Sequence, residues 1–177
     1  PGADVDFVHC PDAPERRPWN SFTRVTAAAM MGIIAEHLVR PREDLDELPH
    51  WYREDPDRRP GESALETELR LTRPFYALIQ IGTNGHNYGR SPRETADAIT
   101  DLIERVRDLG PVPVVFNIPP QLNHPAVPDR WEFAEATAAL IAEATAKAKA
   151  PLVNLWLPLA GDDFDNHGLI AHDGTIF

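Results

Sequence analysis

The residues best placed to carry out chemistry form a short polar loop directly behind an apolar run. Residues 75–89 read FYALIQIGTNGHNYG, in which the apolar stretch Phe75–Ile81 is followed by Gly82, Thr83 and Asn84. This pattern predicts a buried strand that ends in a tight loop presenting one amide side chain, that of Asn84. Open α/β folds build their sites at strand ends of this kind.

Two further polar residues follow in the same loop. His86 and Tyr88 are predicted to line the same pocket as Asn84, although a surface loop position explains His86 equally well. An Asn-Gly pair such as Asn84-Gly85 is also common in plain turns. The glycines of this loop lack the Gly-x-Gly-x-x-Gly spacing, so they do not predict a phosphate-binding loop.

The elements that must position this loop alternate between strands and helices. Ser91-Pro92-Arg93-Glu94 combines a capping box with proline at the first helical position. It predicts a helix that ends at Gly110 and turns five residues inward: Ala98, Leu102, Ile103, Val106 and Leu109. A strand (Val112–Ile118), an Ala-rich helix (130–149), a strand (Leu152–Trp156) and an irregular acidic tail from Pro158 follow. The alternation predicts an α/β fold with a doubly wound parallel sheet and its strand-end loops on one rim.

The first half of the chain carries weaker patterns. Val5–Val8 is predicted as a short strand, and apolar spacing predicts a helix from Ser21 to about Arg40. Residues 41–62 are charged and proline-rich, which predicts an exposed excursion. Ser63 opens a capping box and a short helix that ends near Pro74. We expect residues 1–177 to form a single domain.

Composition excludes several classes of function. A net charge of −11 disfavours nucleic acid and anionic membranes as partners. No apolar run approaches the roughly 20 residues of a transmembrane helix. The single cysteine, Cys10, cannot form an internal disulfide, so the cysteine content does not indicate the compartment. A mature secreted protein, from which the signal peptide has been removed, would have the same sequence features, so the localisation stays open.

From about residue 20 to its end, the chain resembles the SGNH (GDSL-type) ester hydrolases, whose third block reads Gly-x-Asn-Asp. The match places Gly82 and Asn84 in that block and Gly85 where the family has aspartate. The resemblance implies a flavodoxin-like three-layer α/β/α fold and no cofactor. It also implies an oxyanion hole that uses Asn84 and Gly32, each such donor stabilising the transition state by roughly 3–4 kcal/mol. For Gly32, close packing of a helix is the alternative.

The other blocks of the family are incomplete. Asp173-Gly174-Thr175-Ile176 resembles the Asp-x-x-His block, but isoleucine stands at the position of the histidine. The neighbouring His172 is a candidate base if the loop is rearranged. The alternative is that the true block lies beyond Phe177 in a longer parent protein. No Gly-Asp-Ser occurs. Ser21 is the candidate nucleophile, with helix capping as its alternative role. Cys10 is a substitute thiol, with a core cysteine as the alternative.

The family's first strand, which would lie beside Phe75–Ile81, is also missing. We expect an upstream segment absent from this sequence, a partner chain that completes the sheet, or a sheet that has closed up. The resemblance therefore predicts a serine ester hydrolase acting on a small-molecule ester or an acylated glycan. The 177 residues alone are expected to be inactive. The alternatives are a non-catalytic module that binds a glycan or acyl ligand, a fragment truncated at both ends, and an interaction domain.

An acidic segment near the end resembles a calcium loop only in part. Asp163, Asp165 and His167 have suitable spacing, but Gly174 occupies the position of the bidentate glutamate. A solvated acidic loop is the expected structure, so no metal site is predicted.

Overall fold

The computed structural model describes residues 26–30, 32–45, 48, 55–123, 125–126 and 128–160. The chain divides into two compact units, Pro1–Ile33 with His37–Pro74 and Ile34–Glu36 with Phe75–Phe177. The predicted strand Val5–Val8 and Cys10 lie outside the described residues. Whether the chain is a single domain stays a prediction.

The continuous helix predicted from Ser21 to Arg40 is wrong in its described part. A 3₁₀ turn covers Ala27–Ala29 and helix α1 covers Ala35–Val39. Between them Met30 is extended and Gly32 has a φ of +79°. A positive φ is favourable for glycine but interrupts a right-handed helix, so the apolar spacing continues across a break in the backbone.

Helix α2 (Ala64–Thr72) has the predicted capping box. The Ser63 hydroxyl accepts from the Glu66 backbone N–H at 3.2 Å, and the Glu66 carboxylate accepts from the Ser63 N–H at 2.8 Å. These two bonds satisfy helix-end donors that would otherwise lack partners. The helix ends at Arg73, whose φ is +48°.

The charged segment 41–62 is more ordered in its described part than an exposed excursion. A 3₁₀ turn covers Arg42–Asp44, and Leu45 and Asp55 are buried. Glu62 accepts from Arg70 at 2.6 Å (Oε1 to Nε) and 2.8 Å (Oε2 to Nη2), a two-pronged ion pair. Arg70 lowers the pKa of the Glu62 carboxyl to about 2. Charged residues therefore stabilise the fold here as well as covering its surface.

The second unit contains a parallel sheet of three strands, β1 (Tyr76–Gln80), β2 (Val112–Phe116) and β3 (Leu152–Val153), in that order. Helix α3 (Pro92–Asp108) connects β1 to β2, helix α4 (Arg130–Lys147) connects β2 to β3, and α5 (Trp156–Ala160) follows. This arrangement confirms the predicted α/β class, a parallel sheet flanked by helices. The last strand is shorter than predicted because Asn154 caps a new helix, its Oδ1 accepting from the Leu157 N–H at 2.9 Å.

The two faces of the sheet differ in burial. Right-handed crossovers in one direction place α3 and α4 on the same face, where Ile79 and Val115 are buried. On the other face Tyr76 and Leu78 are 64% and 70% exposed. Phe75, which precedes the strand, is 87% exposed. The prediction that this strand is buried is therefore wrong for one of its faces.

Helix α3 has the predicted start. Ser91 and Glu94 form the capping box, and proline occupies the first turn. Three of the five residues predicted to face inward are buried, while Ala98 is half-buried and Leu109 is exposed: the buried set is Leu102, Ile103 and Val106. Leu109 lies beyond the last helical residue, so the helical spacing no longer fixes the direction of its side chain.

Candidate active site

The carboxyl end of β1 is fixed to the core by Gly82. Its φ is +124°, and a Cβ at this position would lie 3.2 Å from Cγ2 of Ile118 and 3.3 Å from Cδ1 of Ile99. Both the backbone conformation and the close contact require glycine. The chain consequently leaves the sheet along a defined path, with Thr83 and Asn84 half-buried at its end.

Asn84 starts a compact turn. The 3₁₀ helix Gly85–Tyr88 follows it, and the Asn84 carbonyl accepts from the Asn87 N–H at 3.0 Å. The Gly85 carbonyl accepts from the Arg90 N–H, also at 3.0 Å. These backbone bonds limit the freedom of the loop, as expected for a segment that must present a side chain in one position.

The packing around Gly85 accounts for the glycine that this chain has in place of the aspartate of Gly-x-Asn-Asp. A Cβ at this position would overlap the Thr95 hydroxyl and lie 3.3 Å from Cζ of Phe133. The Thr95 hydroxyl in turn donates to the Ser91 carbonyl at 3.0 Å on the first turn of α3. An aspartate side chain cannot be accommodated here unless Thr95 moves, so glycine at this position is consistent with the close packing of Thr95 against the turn.

The structure pairs His86 with a carboxylate from another loop. Nε2 of His86 lies 3.0 Å from Oδ1 of Asp129, the residue before α4, and their side chains are 24% and 69% exposed. The His86 ring also meets Phe133 edge to face, with ring centroids 5.0 Å apart and an interplanar angle of 88°. Sequence reasoning placed His86 in the site but missed Asp129, whose signal was a carboxylate at the start of the helix after β2.

A second residue that sequence reasoning missed is Asn117, which follows β2 and is buried. Its Oδ1 accepts from the Leu155 N–H at 2.6 Å, and its Nδ2 donates to Oδ1 of Asn154 at 3.1 Å. These bonds join the carboxyl ends of β2 and β3. An asparagine directly behind an apolar strand could have signalled this role, as it did for Asn84.

The remaining predicted residues belong to the first unit or lie outside the described residues. Gly32 is half-buried in the first unit and lies outside the helices, with a φ of +79°. Close packing against a helix stays the alternative interpretation of this glycine. Its role in an oxyanion hole stays a prediction. Ser21, His172 and Asp173 lie outside the described residues, as does the acidic segment 162–173.

Among the described residues, no cluster of three or more His, Cys, Asp or Glu is placed to hold a metal ion. No helix of the described ranges is long and apolar enough to cross a membrane.

Comparisons with known proteins point to one family. The profile of the GDSL-like Lipase/Acylhydrolase family matches residues 48–176. No curated protein matches the sequence significantly. Among solved structures, a carbohydrate acetylesterase from Sinorhizobium meliloti is similar, with 19% identity and a TM-score of 0.48. The match covers 75% of this chain and 62% of that chain.

Proposed function

Since this chain belongs to the GDSL-like lipase/acylhydrolase family, we propose that it hydrolyses carboxylic esters at the carboxyl end of β1. The observation that carries this proposal is the placement of Asn84. Its amide lies at the end of a parallel strand, in a loop held by Gly82 and by backbone hydrogen bonds. Sites of open α/β folds are built at this edge of the sheet.

In the proposed reaction, the Asn84 side-chain N–H donates to the oxygen that becomes negative as the acyl carbon turns tetrahedral. A donor held in position before the reaction stabilises that charge without reorganising, which is why the rigidity of the loop matters. Gly32 would add a backbone N–H to the same oxyanion. The proposed substrates are small-molecule esters, acylated glycans among them.

The test compares Asn84→Ala with Asn87→Ala in the full-length protein, using p-nitrophenyl acetate and an acetylated sugar as substrates. Asn87 is an exposed asparagine of the same turn and serves as the matched control. Loss of one oxyanion donor lowers kcat by about 10²–10³-fold with little change in KM. Full activity of Asn84→Ala would contradict the proposed role.

The second candidate function is a non-catalytic module that binds a glycan or acyl ligand. The observation that favours it is Ile176, which stands where the family has its histidine and cannot accept a proton. This candidate predicts no ester hydrolysis by the wild-type chain but saturable binding of an acetylated sugar, measured by calorimetry, that Asn84→Ala weakens.

A further inference from the structure

We propose that His86 and Asp129 are positioning residues, whose hydrogen bond holds the turn that carries Asn84 against the start of α4. The inference rests on the proposed ester hydrolysis, since it concerns the oxyanion donor of the same site. His86 follows β1 and Asp129 precedes α4, so the two side chains come from separate connections of the sheet. Nε2 of His86 lies 3.0 Å from Oδ1 of Asp129.

The turn after Asn84 is too short to be rigid by itself. It is a 3₁₀ helix of four residues, Gly85–Tyr88, and helix formation is cooperative, so a piece of this length has little stability of its own. A group that stabilises a transition state must be held within about 0.5 Å of its productive position. The position of Asn84 therefore depends on what packs against the turn.

Helix α3 holds one side of the turn. The Gly85 carbonyl accepts from the Arg90 N–H at 3.0 Å, just before α3 begins. Thr95, in the first turns of that helix, packs so closely against Gly85 that a Cβ there would overlap its hydroxyl. These contacts fix the start of the turn, at Gly85, but do not involve the side chain of His86.

The His86 side chain holds the other side of the turn, against α4. Its ring meets the buried Phe133 edge to face, with ring centroids 5.0 Å apart. Edge-to-face contacts tolerate a range of geometries, whereas a hydrogen bond is directional. The bond to Asp129 therefore determines where the ring lies on α4, and with the ring the turn that follows Asn84.

The side chain of Asp129 is available for this bond because another residue caps α4. Aspartate before the first residue of a helix commonly accepts from backbone N–H groups of the first turn. Here the Asp129 side chain makes no such bond. The Trp131 N–H donates instead to Oδ1 of Asn123, at 2.7 Å.

The bond does not depend on the charge of His86. An ionised carboxylate only accepts hydrogen bonds, so Nε2 of His86 must donate to Asp129. The neutral ring with its proton on Nε2 and the imidazolium both supply this donor. In ¹⁵N-edited NMR spectra, the neutral ring should therefore carry its proton on Nε2, and a proton on Nδ1 would contradict the assigned bond.

The first test replaces Asp129 in the full-length protein, with p-nitrophenyl acetate as the substrate. Misplacing a group by about 1 Å can cost up to about 10²-fold in rate, so Asp129→Ala should lower kcat about 10–10²-fold with little change in KM. Asp129→Asn keeps an acceptor oxygen and should retain most of the activity. Asp101→Ala, at an exposed position of α3, removes the same charge and is the control. Wild-type kcat in Asp129→Ala would overturn the proposal.

The second test asks whether the pair acts through Asn84. If it does, Asp129→Ala should lower kcat no further in a chain that already carries Asn84→Ala. An equal fold-loss in both backgrounds would show that the pair acts on something else, which overturns the inference and leaves Asn84 as the proposed donor.

The third test separates the hydrogen bond of His86 from its packing. The side-chain nitrogen of His86→Gln can still donate to Asp129, whereas His86→Phe keeps an aromatic ring on Phe133 but has no donor. We expect His86→Gln to retain most of the activity and His86→Phe to lose as much kcat as Asp129→Ala, with similar melting temperatures. Equal large losses in both variants would contradict a role through the hydrogen bond.

A measurement without substrate distinguishes failure of this inference from failure of the proposed function. The Asn87 N–H donates to the Asn84 carbonyl at 3.0 Å, so its hydrogen exchange reports on the turn. Exchange at Asn87 should be faster in Asp129→Ala, with the amides of α3 unchanged. Wild-type protection of Asn87 in that variant overturns only the inference. Full hydrolytic activity of Asn84→Ala overturns the proposed oxyanion role and the inference with it.

Discussion

The two units of the molecule are stabilised by different kinds of contact. In the second unit, fully buried apolar side chains from two helices and the sheet form a continuous core, among them Ile99, Leu102, Ile103, Val106, Ile118 and Ile141. In the first unit, short elements are joined by carboxylate contacts: Glu62 with Arg70, Glu43 with Arg58, and Glu68 with Thr26. The first unit also buries apolar side chains, among them Leu38, Leu45 and Leu65. Apolar burial is insensitive to pH, whereas the ion pairs of the first unit need ionised carboxylates.

The largest effect is expected from the core of the second unit. Ile79 and Leu78 are adjacent in β1 but face opposite sides of the sheet, and they are 7% and 70% exposed. Ile79→Ala should lower the free energy of unfolding by about 2–5 kcal/mol, because it leaves a cavity. Leu78→Ala should change it by less than about 0.5 kcal/mol. Urea unfolding measures both, and similar losses would show that both faces of β1 are covered in solution.

Gly85→Ala should be the next most disruptive change. The added methyl group overlaps the Thr95 hydroxyl, and overpacking of this kind costs about 1–3 kcal/mol. Combining it with Thr95→Ala should recover part of that loss, which a double-mutant cycle detects as coupling between the two positions. Strict additivity of the two substitutions would mean that the turn relaxes away from α3.

The acid sensitivity of the first unit follows from Glu62. Its pKa is lowered from 4.5 to about 2 in the folded chain, mainly by its hydrogen bond with Arg70. A carboxyl with a lower pKa when folded stabilises fully above about pH 4.5 and loses this contribution as the pH falls towards 2. The full shift corresponds to about 3 kcal/mol, and screening near the surface reduces this to about 1–2 kcal/mol.

Unfolding experiments between pH 5 and pH 2 should therefore show a smaller pH dependence in Glu62→Gln than in the wild type. Glu104→Gln, an exposed position of α3, is the control. Amide exchange should place the acid-induced opening in the first unit. If acid opened the second unit equally, the two units would not differ in their sensitivity to pH.

The smallest effect is expected from a buried hydroxyl group in the core of the second unit. Thr137 and Thr145 are both fully buried in α4, but only the Thr145 hydroxyl has a described acceptor, the Ile141 carbonyl at 2.6 Å. The Thr137 hydroxyl has no partner among the described residues. Thr137→Val should raise the free energy of unfolding by about 1 kcal/mol, and Thr145→Val should lower it by a similar amount. Thermal melts distinguish these opposite signs.

Much of the second unit could be predicted from its sequence because its signals are local. The capping box at Ser91 and the glycine behind β1 each involve a few neighbouring residues, and the structure contains both. The break at Gly32 was missed because the spacing of apolar residues indicates only the periodicity of the side chains and does not indicate where the backbone adopts a positive φ. The exposed face of β1 was missed because an all-apolar run cannot show which face a helix covers.

The same distinction between local signals and contacts distant in the sequence applies to the candidate site. Asn84 and His86 lie in a loop that the sequence marks clearly, so their location could be predicted. Asp129 and Asn117 act through contacts with residues distant in the sequence, 43 positions away in the case of His86 and Asp129. Such pairs depend on how the connections cross the edge of the sheet, which no local pattern encodes.

The order of the strands has a consequence for how the chain folds. Each strand of the sheet pairs with the next one along the chain, through a single helical crossover. Each parallel pairing forms only after its helical crossover has closed a long loop, so the formation of the sheet should be a slow step of folding. In pulse-labelled refolding, the amides of β2, which is bonded on both sides, should become protected first.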